Sequence, residues 1–181
     1  MPDRELAAAL AIGPETAARD VAEAARVVLD VEAAPWPSRL QGVCAVLWRA
    51  RPSLVSASLY VSAPQGSRLA LAAHQGAPVA LTVPWHQGLV GTAAADRVVQ
   101  IVPVLRLFHG HRLDNPVGES AVAVPVTRGG VLAIFVLLAS EREAFAAEDV
   151  ELVQQVAELA AQRWPPVATA GEAEGNRERP G

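Results

Sequence analysis

The sequence predicts an α+β fold: an antiparallel β-sheet of about six strands with N- and C-terminal helices packed mainly on one face. Apolar residues recur at helical spacing near both ends of the chain, and short apolar runs separated by turn residues fill its middle. The chain has 181 residues, 51% of them hydrophobic, which is enough for one sizeable core. We expect an N-terminal amphipathic helix region over 1–34, the main domain over 35–164 and a disordered tail over 165–181.

Two helices are predicted before the first strand. The first begins near Gly13 and Pro14, because the missing N–H of proline costs nothing in a first turn. The second runs from Ser38, as its N-cap, to about Ala50. The apolar stripe of the first helix is Ala17, Val21, Ala24, Val28 and Val31, and the inward residues of the second are Leu40, Val43, Cys44 and Leu47. Because small residues suit close helix packing, we expect a homodimer through the terminal helices.

The middle of the chain predicts strands joined by hairpin turns. The turns are Pro64–Ser67 and Arg128–Gly130, and they favour antiparallel neighbours. A short helix is predicted over Trp85–Ala95, and a last helix follows Phe145 and stops before Pro165. The predicted strands are Leu54–Val61, Leu69–His74, Ala80–Trp85, Val98–Val102, Ala121–Val126 and Val131–Leu138. The buried stripe of the last helix is Leu152, Val153, Val156, Leu159 and Ala160.

Composition excludes several classes of function. The net charge of -4 gives no electrostatic reason to bind nucleic acid. A single cysteine, Cys44, rules out an intramolecular disulfide and a multi-thiolate metal site. The longest apolar run, Val131 to Ala139, is far shorter than the roughly 20 residues that cross a bilayer, and the N-terminus is a poor signal peptide. We therefore expect a cytoplasmic protein with no membrane and no nucleic-acid partner.

The segment from His74 to Pro125 carries a more specific pattern. Its members are Gln75, Gly76, Pro84, Gly88, Gly91, Thr92, Ala93, Gln100, Phe108, Gly110, His111, Ser120 and Pro125. In this order they resemble the GAF domain, and more narrowly its free methionine-R-sulfoxide reductase branch. The resemblance implies a GAF-like fold with a pocket lined by this segment.

The same resemblance implies a loss of chemistry. The three cysteines of the reductase branch correspond to Ala80, Val90 and Asp114, and sulfoxide reduction needs a thiolate to attack and a thiol to resolve. The acidic residues that suit a substrate ammonium group correspond to Asn115, Ala121, Val136 and Leu138. The resemblance thus implies a non-catalytic module that binds a small molecule or a protein, without cofactor or metal. Two alternatives remain open: a divergent enzyme that uses His111, Asp114, Asn115 and Glu119, and a pocket filled by its own side chains.

The candidate ligand-binding residues lie in the strands and loops of this segment. The loop from Arg106 to Ser120 is long enough to cap a pocket, and its histidines are metal-capable, although bracing of the loop is the leading interpretation. Gly88, Gly91 and Thr92 open the short helix, where backbone N–H groups could meet a ligand, although glycine equally permits close packing. The full candidate set is His74, Ala80, Trp85, His86, Val90, Thr92, Phe108, His111, Asp114, Asn115, Glu119 and Ala121.

Overall fold

The structure, a computed structural model, describes Ala7, Ala11 and residues 17–62, 66–109 and 118–166. Its helices are α1 (Ala18–Leu29), α2 (Trp36–Arg49), α3 (Gly88–Asp96) and α4 (Ala147–Arg163), with a 3-10 turn at Leu105–Leu107. Its strands are β1 (Leu54–Ser62), β2 (Arg68–Gly76), β3 (Thr82–Pro84), β4 (Gln100–Val102), β5 (Ser120–Thr127) and β6 (Val131–Ala139).

Some predicted features lie outside the described residues. They are the helix start at Gly13 and Pro14, the turn residues Pro64 and Gln65, and the tail over 167–181. Within the described ranges, no helix has both the length and the apolar character needed to cross a membrane.

The six strands form one antiparallel sheet in the order β3-β2-β1-β6-β5-β4. The hairpins β1–β2 and β5–β6 are consecutive in the chain, and the central pair β1–β6 joins them. At the second hairpin Gly129 has a φ of 72°, which glycine adopts without a steric penalty. The predicted sheet of about six antiparallel strands is confirmed, including the turn at Arg128–Gly130.

Two apolar clusters cover the two faces of the sheet. On the face that we call the α4 side, α1, α2 and α4 pack against residues such as Leu59, Phe135 and Leu137. On the opposite face, the α3 side, the short helix α3 packs against residues such as Tyr60, Ile134 and Val136. The three longer helices therefore share one face, as the sequence predicts, and among the described helices α3 lies on the other.

The face of helix α1 that was predicted to be apolar packs against other parts of the same chain. Val21, Ala24 and Val28 are buried with Ala25 and Leu29 in the α4-side cluster. Two members of the predicted stripe fall outside the helix, because it begins after Ala17 and ends at Leu29, before Val31. The stripe that motivated the dimer prediction is thus used for packing inside one chain.

Helix α2 begins earlier than predicted, at Trp36, and Ser38 is not its N-cap. Pro35 occupies that position with a φ of -57° and a ψ of 146°, and Pro37 fits the first turn because its missing N–H has no intrahelical acceptor there. The N–H of Ser38 donates to the carbonyl of Pro35 at 2.9 Å, so Ser38 is already helical. The four residues predicted to face inward are all buried: Leu40, Val43, Cys44 and Leu47.

Helix α4 ends where the prolines predict, at Arg163. Its first turn contains Glu148 and Asp149, and the Asp149 carboxylate accepts the backbone N–H of Ala146 at 2.8 Å. At its other end Arg128 Nη1 donates to the carbonyl of Trp164 at 2.8 Å. The negative Asp149 at the start of the helix and the positive Arg128 at its end both interact favourably with the helix dipole.

Three short elements differ from their predicted bounds. β3 spans only Thr82–Pro84, because it pairs only with Arg68–Ala70 of β2. β4 likewise spans only the three residues that pair with β5. Helix α3 begins at Gly88 and not at Trp85, since His86 has a φ of 64°, which a right-handed helix cannot include.

Candidate functional site

A row of polar side chains follows β1 on the α3 side of the sheet. Ser56, Ser58 and Tyr60 alternate with Ala57 and Leu59, which face the α4 side, so the three polar residues share one face. Ser56 and Ser58 are 0% and 1% exposed. The candidate residues predicted from sequence include none of these three. The signal that could have found them is the period of two in the segment Ser56–Tyr60, where a central strand carries polar residues at alternate positions.

Apolar residues of β5 and β6 continue the same face. Leu138 lies opposite Ser56 and Val136 lies opposite Ser58, while Ala121 pairs with Leu138 from the other side. All three apolar residues are at most 3% exposed. The structure therefore brings together Ala121, Val136 and Leu138, which the resemblance had placed near a substrate ammonium group, and none of these three side chains can balance a positive charge.

Helix α3 and the chain before it cover this face. Val90 is buried in the α3-side cluster, and Ala80 and Trp85 are half-buried against it. The carbonyl of Ala80 accepts the hydroxyl proton of Tyr60 at 2.8 Å, which fixes the start of this segment over the sheet. Thr92 is half-buried on α3, whereas His86 is exposed at the turn before it.

Close packing accounts for Gly91. A Cβ there would overlap the carbonyl oxygen of Pro84, and the N–H of Gly91 already donates to the carbonyl of Gln87 at 3.1 Å. The contact between α3 and β3 therefore requires this glycine. At Gly91, close packing and not ligand binding explains the glycine.

His74 on β2 faces the α3 side beside Ser58. The two residues pair directly across β1 and β2, and directly paired residues project from the same face. The His74 ring is half-buried, and its Nε2 lies 2.6 Å from the carbonyl oxygen of Ala77. This hydrogen bond orients the ring beside the middle of the polar row.

The long loop contributes only in part to the described site. Phe108 is half-buried against the α3-side cluster. Glu119 pairs with Arg142, whose Nε lies 3.1 Å from its Oε2, and both side chains are about half exposed. The structure thus holds Glu119 at the surface in an ion pair, away from the buried residues. Three candidates, His111, Asp114 and Asn115, lie outside the described residues.

The chain's one cysteine lies on the other side of the sheet. Cys44 is fully buried on α2, in the α4-side cluster, and burial raises the pKa of its thiol far above the usual range. A protonated, enclosed thiol does not act as a nucleophile. The residues of the described ranges also contain no group of three His, Cys, Asp or Glu side chains placed to hold a metal ion.

Two buried hydrogen-bonding atoms on the α3 side have no partner in the described structure. They are Oγ of Ser56 and Nε1 of Trp85. Most buried polar side-chain atoms in folded proteins are paired, so each exception needs a reason. Ser56 pairs with Gly76 at the end of β2, whereas Trp85 follows Pro84, which pairs with Arg68 at the start of β2, so the two atoms do not belong to one site.

A separate open groove lies on the α4 side, between β5 and α4. It has a volume of about 430 Å³, and its rim includes Arg97, Arg128 and Glu158. None of the candidate residues lines it. Four of the candidate residues, Ala80, Trp85, Val90 and Ala121, lie on the other face, and we therefore take the α3 side as the candidate site.

Comparison with known sequences gives a family-level match. The family model described as GAF domain matches residues 11–163, which is most of the chain. Among curated proteins, the chain is 28% identical over 131 residues to free methionine-R-sulfoxide reductase from Saccharomyces cerevisiae. That match covers 68% of this chain and 73% of the yeast protein.

Solved structures give the same fold. A structure described as that of the GAF domain superposes with a TM-score of 0.78 at 21% identity, covering 87% of this chain and 95% of the other. Free methionine-R-sulfoxide reductase from Neisseria meningitidis, solved with its substrate, superposes with a TM-score of 0.77 at 19% identity, covering 84% and 94%. At these identities the structural likeness establishes the shared architecture of a curled antiparallel sheet with flanking helices.

Proposed function

Because the chain belongs to the GAF domain family, we propose that it is a non-catalytic member that binds a small molecule on the α3 side of its sheet. The proposal concerns the face formed by Ser56, Ser58 and Tyr60, the apolar residues of β5 and β6, and α3. Its support is geometric: this face combines an apolar floor with a short row of polar groups, the usual composition of a small-molecule site.

The position of Cys44 is the observation that supports the non-catalytic part of this proposal. Thiol-dependent sulfoxide reduction needs a reactive thiolate at the substrate, followed by a second thiol that resolves the intermediate. The chain has one cysteine, and it is buried on the face opposite the proposed site. A single enclosed thiol with a raised pKa supports binding without turnover.

The decisive experiment follows the conversion of free methionine-R-sulfoxide to methionine by the full chain with a dithiol reductant. We expect no methionine above the enzyme-free blank. Methionine formed in proportion to protein concentration would make the non-catalytic assignment wrong. A parallel pair of native and denaturing mass spectra of protein from its own cells tests binding, since a ligand adds mass in the native spectrum alone.

A divergent reductase-like enzyme with altered chemistry is the second candidate, and the similarity to curated and solved reductases favours it. It would use the loop residues His111, Asp114 and Asn115 together with Glu119. This candidate predicts turnover that is lost in the Asp114→Ala variant. A third interpretation takes the tight burial of Val90, Val136 and Leu138 as a sign of a filled pocket, in which case the native spectrum shows the bare mass and the chain acts through a protein partner.

We also propose a cytoplasmic signalling role and a homodimer formed through α1 and α4. A shallow surface between these helices is lined by Arg19, Asp20, Ala22, Glu23, Arg26 and Leu159. Its mixture of both charge signs around two apolar residues can be self-complementary in a two-fold interface. Sedimentation at micromolar concentration tests the dimer, and a monomer at that concentration would contradict it.

A further inference from the structure

The groove between β5 and α4 exists because β4 is short. β4 pairs with residues 121–123 of β5, so residues 124–127 follow at the edge of the sheet, where α4 packs beside them. The helix residues that line the groove recur every three or four positions, which places them on one side of α4. They are Gln154, Ala157, Glu158, Ala161 and Gln162.

The floor of this groove is apolar, and its volume suits a small molecule. Val124, Ala157 and Ala161 are buried in the α4-side cluster, and Val99 packs against it. The two alanines are small, so they leave space open between the helix and the strand. The volume of about 430 Å³ lies within the range of small-molecule sites. The groove is therefore a second candidate binding site, on the face opposite α3.

The rim of the groove is positively charged, although the whole chain has a net charge of -4. Arg97 and Arg128 line it, against one acidic residue, Glu158. Arg128 donates to the carbonyl of Trp164, and this neutral partner leaves its charge in place. Over residues 17–62, 66–109 and 118–166, neither arginine forms an ion pair. This balance favours a ligand with a single negative charge, because Glu158 would repel a second.

Arg97 has a backbone conformation that normally favours glycine. It is the C-cap of α3, with a φ of 58° and a ψ of 31°. Glycine is preferred at such a position because it has no Cβ, so the turn itself does not explain an arginine. His86 and Glu143 also have a positive φ but do not line the groove, so this conformation supports a site only together with the charge and the open space.

We propose that this groove binds a small monocarboxylate with an apolar body. The carboxylate pairs with Arg97, close to the charge of Arg128, and the apolar body lies on Val124 and the alanines of α4. Glu158 selects against ligands with a second negative charge. This site is independent of the function proposed for the α3 side, because it lies on the other face and takes a different class of ligand.

The test uses three probes that share an apolar chain and differ in charge. Hexanoate carries a single negative charge, hexan-1-ol carries none, and hexyl phosphate carries roughly two. Each is titrated into the ¹⁵N-labelled full chain, and amide shifts of β5 and α4 report binding in the groove. The variants are Arg97→Gln, Arg97→Gly and Glu158→Gln. Arg106→Gln is the control, since Arg106 is exposed and does not line the groove.

We expect hexanoate to lose affinity about three- to fivefold in both Arg97 variants, which is the effect of removing one partly exposed ion pair. Arg106→Gln should bind hexanoate like the unchanged chain. Hexan-1-ol should bind more weakly than hexanoate and equally to all the proteins. Glu158→Gln should bind hexanoate more tightly and should improve hexyl phosphate binding by a larger factor, because it removes a repulsion.

Thermal unfolding separates recognition from a structural role of Arg97. Arg97→Gly should have a higher Tm than the unchanged chain, because glycine adopts the positive φ without a steric penalty. Arg97→Gln should leave the Tm nearly unchanged. A lower Tm for Arg97→Gly would show that the arginine is needed for the turn, and would overturn its assignment as a binding residue.

Three further outcomes would overturn the proposal. Equal losses of hexanoate affinity in Arg97→Gln and Arg106→Gln would indicate attraction to positive charge anywhere on the surface. Hexan-1-ol binding as tight as that of hexanoate would exclude a carboxylate site. Shifts confined to α3, or no shifts at millimolar hexanoate, would show that the groove does not bind this class of molecule.

Discussion

The side-chain amide of Gln41 pairs with both backbone polar groups of His74. Its Nε2 donates to the His74 carbonyl at 2.5 Å, and its Oε1 accepts the His74 N–H at 3.0 Å. Strand β3 pairs only with the first residues of β2, so Gln41 occupies the strand edge that β3 leaves open. The pair links α2, on one face of the sheet, to a residue whose ring lies on the other.

We predict that Gln41→Ala lowers the free energy of unfolding by about 1–2 kcal/mol, because two hydrogen bonds to a strand edge are lost. Urea unfolding followed by circular dichroism measures the change. Gln155→Ala on the exposed face of α4 is the matched control and should stay within about 0.5 kcal/mol. Equal effects of the two substitutions would show that the Gln41 pair adds no stability.

Alkaline pH should destabilise the protein through Cys44. Burial raises the pKa of this thiol in the folded chain, so the unfolded chain releases the proton first, and stability is present below the unfolded pKa and declines above it. We expect a decline of up to about 1.4 kcal/mol per pH unit from about pH 8.5 upward. The chain contains no lysine, which removes one common source of alkaline titration.

The measurement for this prediction is urea unfolding from pH 7 to 10 for the unchanged chain and for Cys44→Ala. The free energy of unfolding of the variant should fall less steeply with rising pH than that of the unchanged chain. Identical slopes would mean that Cys44 is already ionised or solvated in the folded protein.

Asp30 should stabilise the junction between the ends of α1 and α4. Arg163 Nη2 donates to Asp30 Oδ2 at 3.1 Å and Nε contacts Oδ1, and this pairing, followed by the charge of Arg26, holds the pKa of Asp30 below its usual value. A lowered folded pKa gives stability that is present above the unfolded pKa of about 3.9 and is lost as pH falls through the folded value.

For Asp30→Asn we therefore predict a loss of about 0.5 kcal/mol at pH 7, kept small because the side chain is 39% exposed and screened by solvent. The difference from the unchanged chain should vanish near pH 2 and shrink in high salt. Asp20→Asn is the control, since its contact with Arg19 at 4.0 Å is more exposed. A difference that persists at pH 2 would point to a cause other than charge.

Gly76 should tolerate alanine less well than Gly129, although both have a positive φ. Its φ is 94°, and a Cβ would overlap the carbonyl oxygen of Val55 and lie 3.0 Å from Cα of Ser56. We predict a loss of about 2–3 kcal/mol for Gly76→Ala. Gly129→Ala, with a φ of 72° and open space around it, should lose only about 1 kcal/mol. Chemical denaturation of both variants measures the change in the free energy of unfolding. A larger decrease for Gly129→Ala than for Gly76→Ala would contradict the packing argument.

Filling the space beside Ala80 should block the site. Ala80 is half-buried against the α3-side cluster, next to the hydroxyl of Tyr60, so Ala80→Trp adds bulk where a ligand is expected. We predict that the added mass of a bound ligand disappears from the native spectrum of this variant while its unfolding transition stays cooperative. Leu81→Trp, at an exposed neighbouring position, is the control and should bind normally. Unchanged binding in Ala80→Trp would place the site elsewhere.

The order of elements followed from the sequence because period and turn chemistry are local signals. Short apolar runs marked β5 and β6, and Gly129 marked their turn. The bounds of β3 could not be predicted from the sequence, since the length of an edge strand depends on how much of β2 is available for pairing. The start of α2 was missed for a different reason: Ser38 is a good N-cap in isolation, but Pro35 and Pro37 already fit an earlier first turn.

The site was predictable only where it resembles a known pattern. Val90, Ala121 and Ala80 were placed by that resemblance, and the structure brings them to the α3 side. The resemblance pointed away from β1, so Ser56 was not considered. Its burial between Gly76 and Leu138, from two other strands, is a three-dimensional property that no spacing within the sequence reports.

Strand β1 also has a consequence for how this protein can change over evolution. Its even-numbered residues Ser56, Ser58 and Tyr60 face the proposed ligand, while Ala57 and Leu59 belong to the core beneath the long helices. Substitutions of the two serines would change the α3-side face of β1 without changing Ala57 or Leu59, whereas Tyr60 is itself part of the apolar cluster on that side. Under the proposed function, this nine-residue strand would let ligand preference change at the two serines while Ala57 and Leu59 stay under selection for packing, and an engineer could use the same separation.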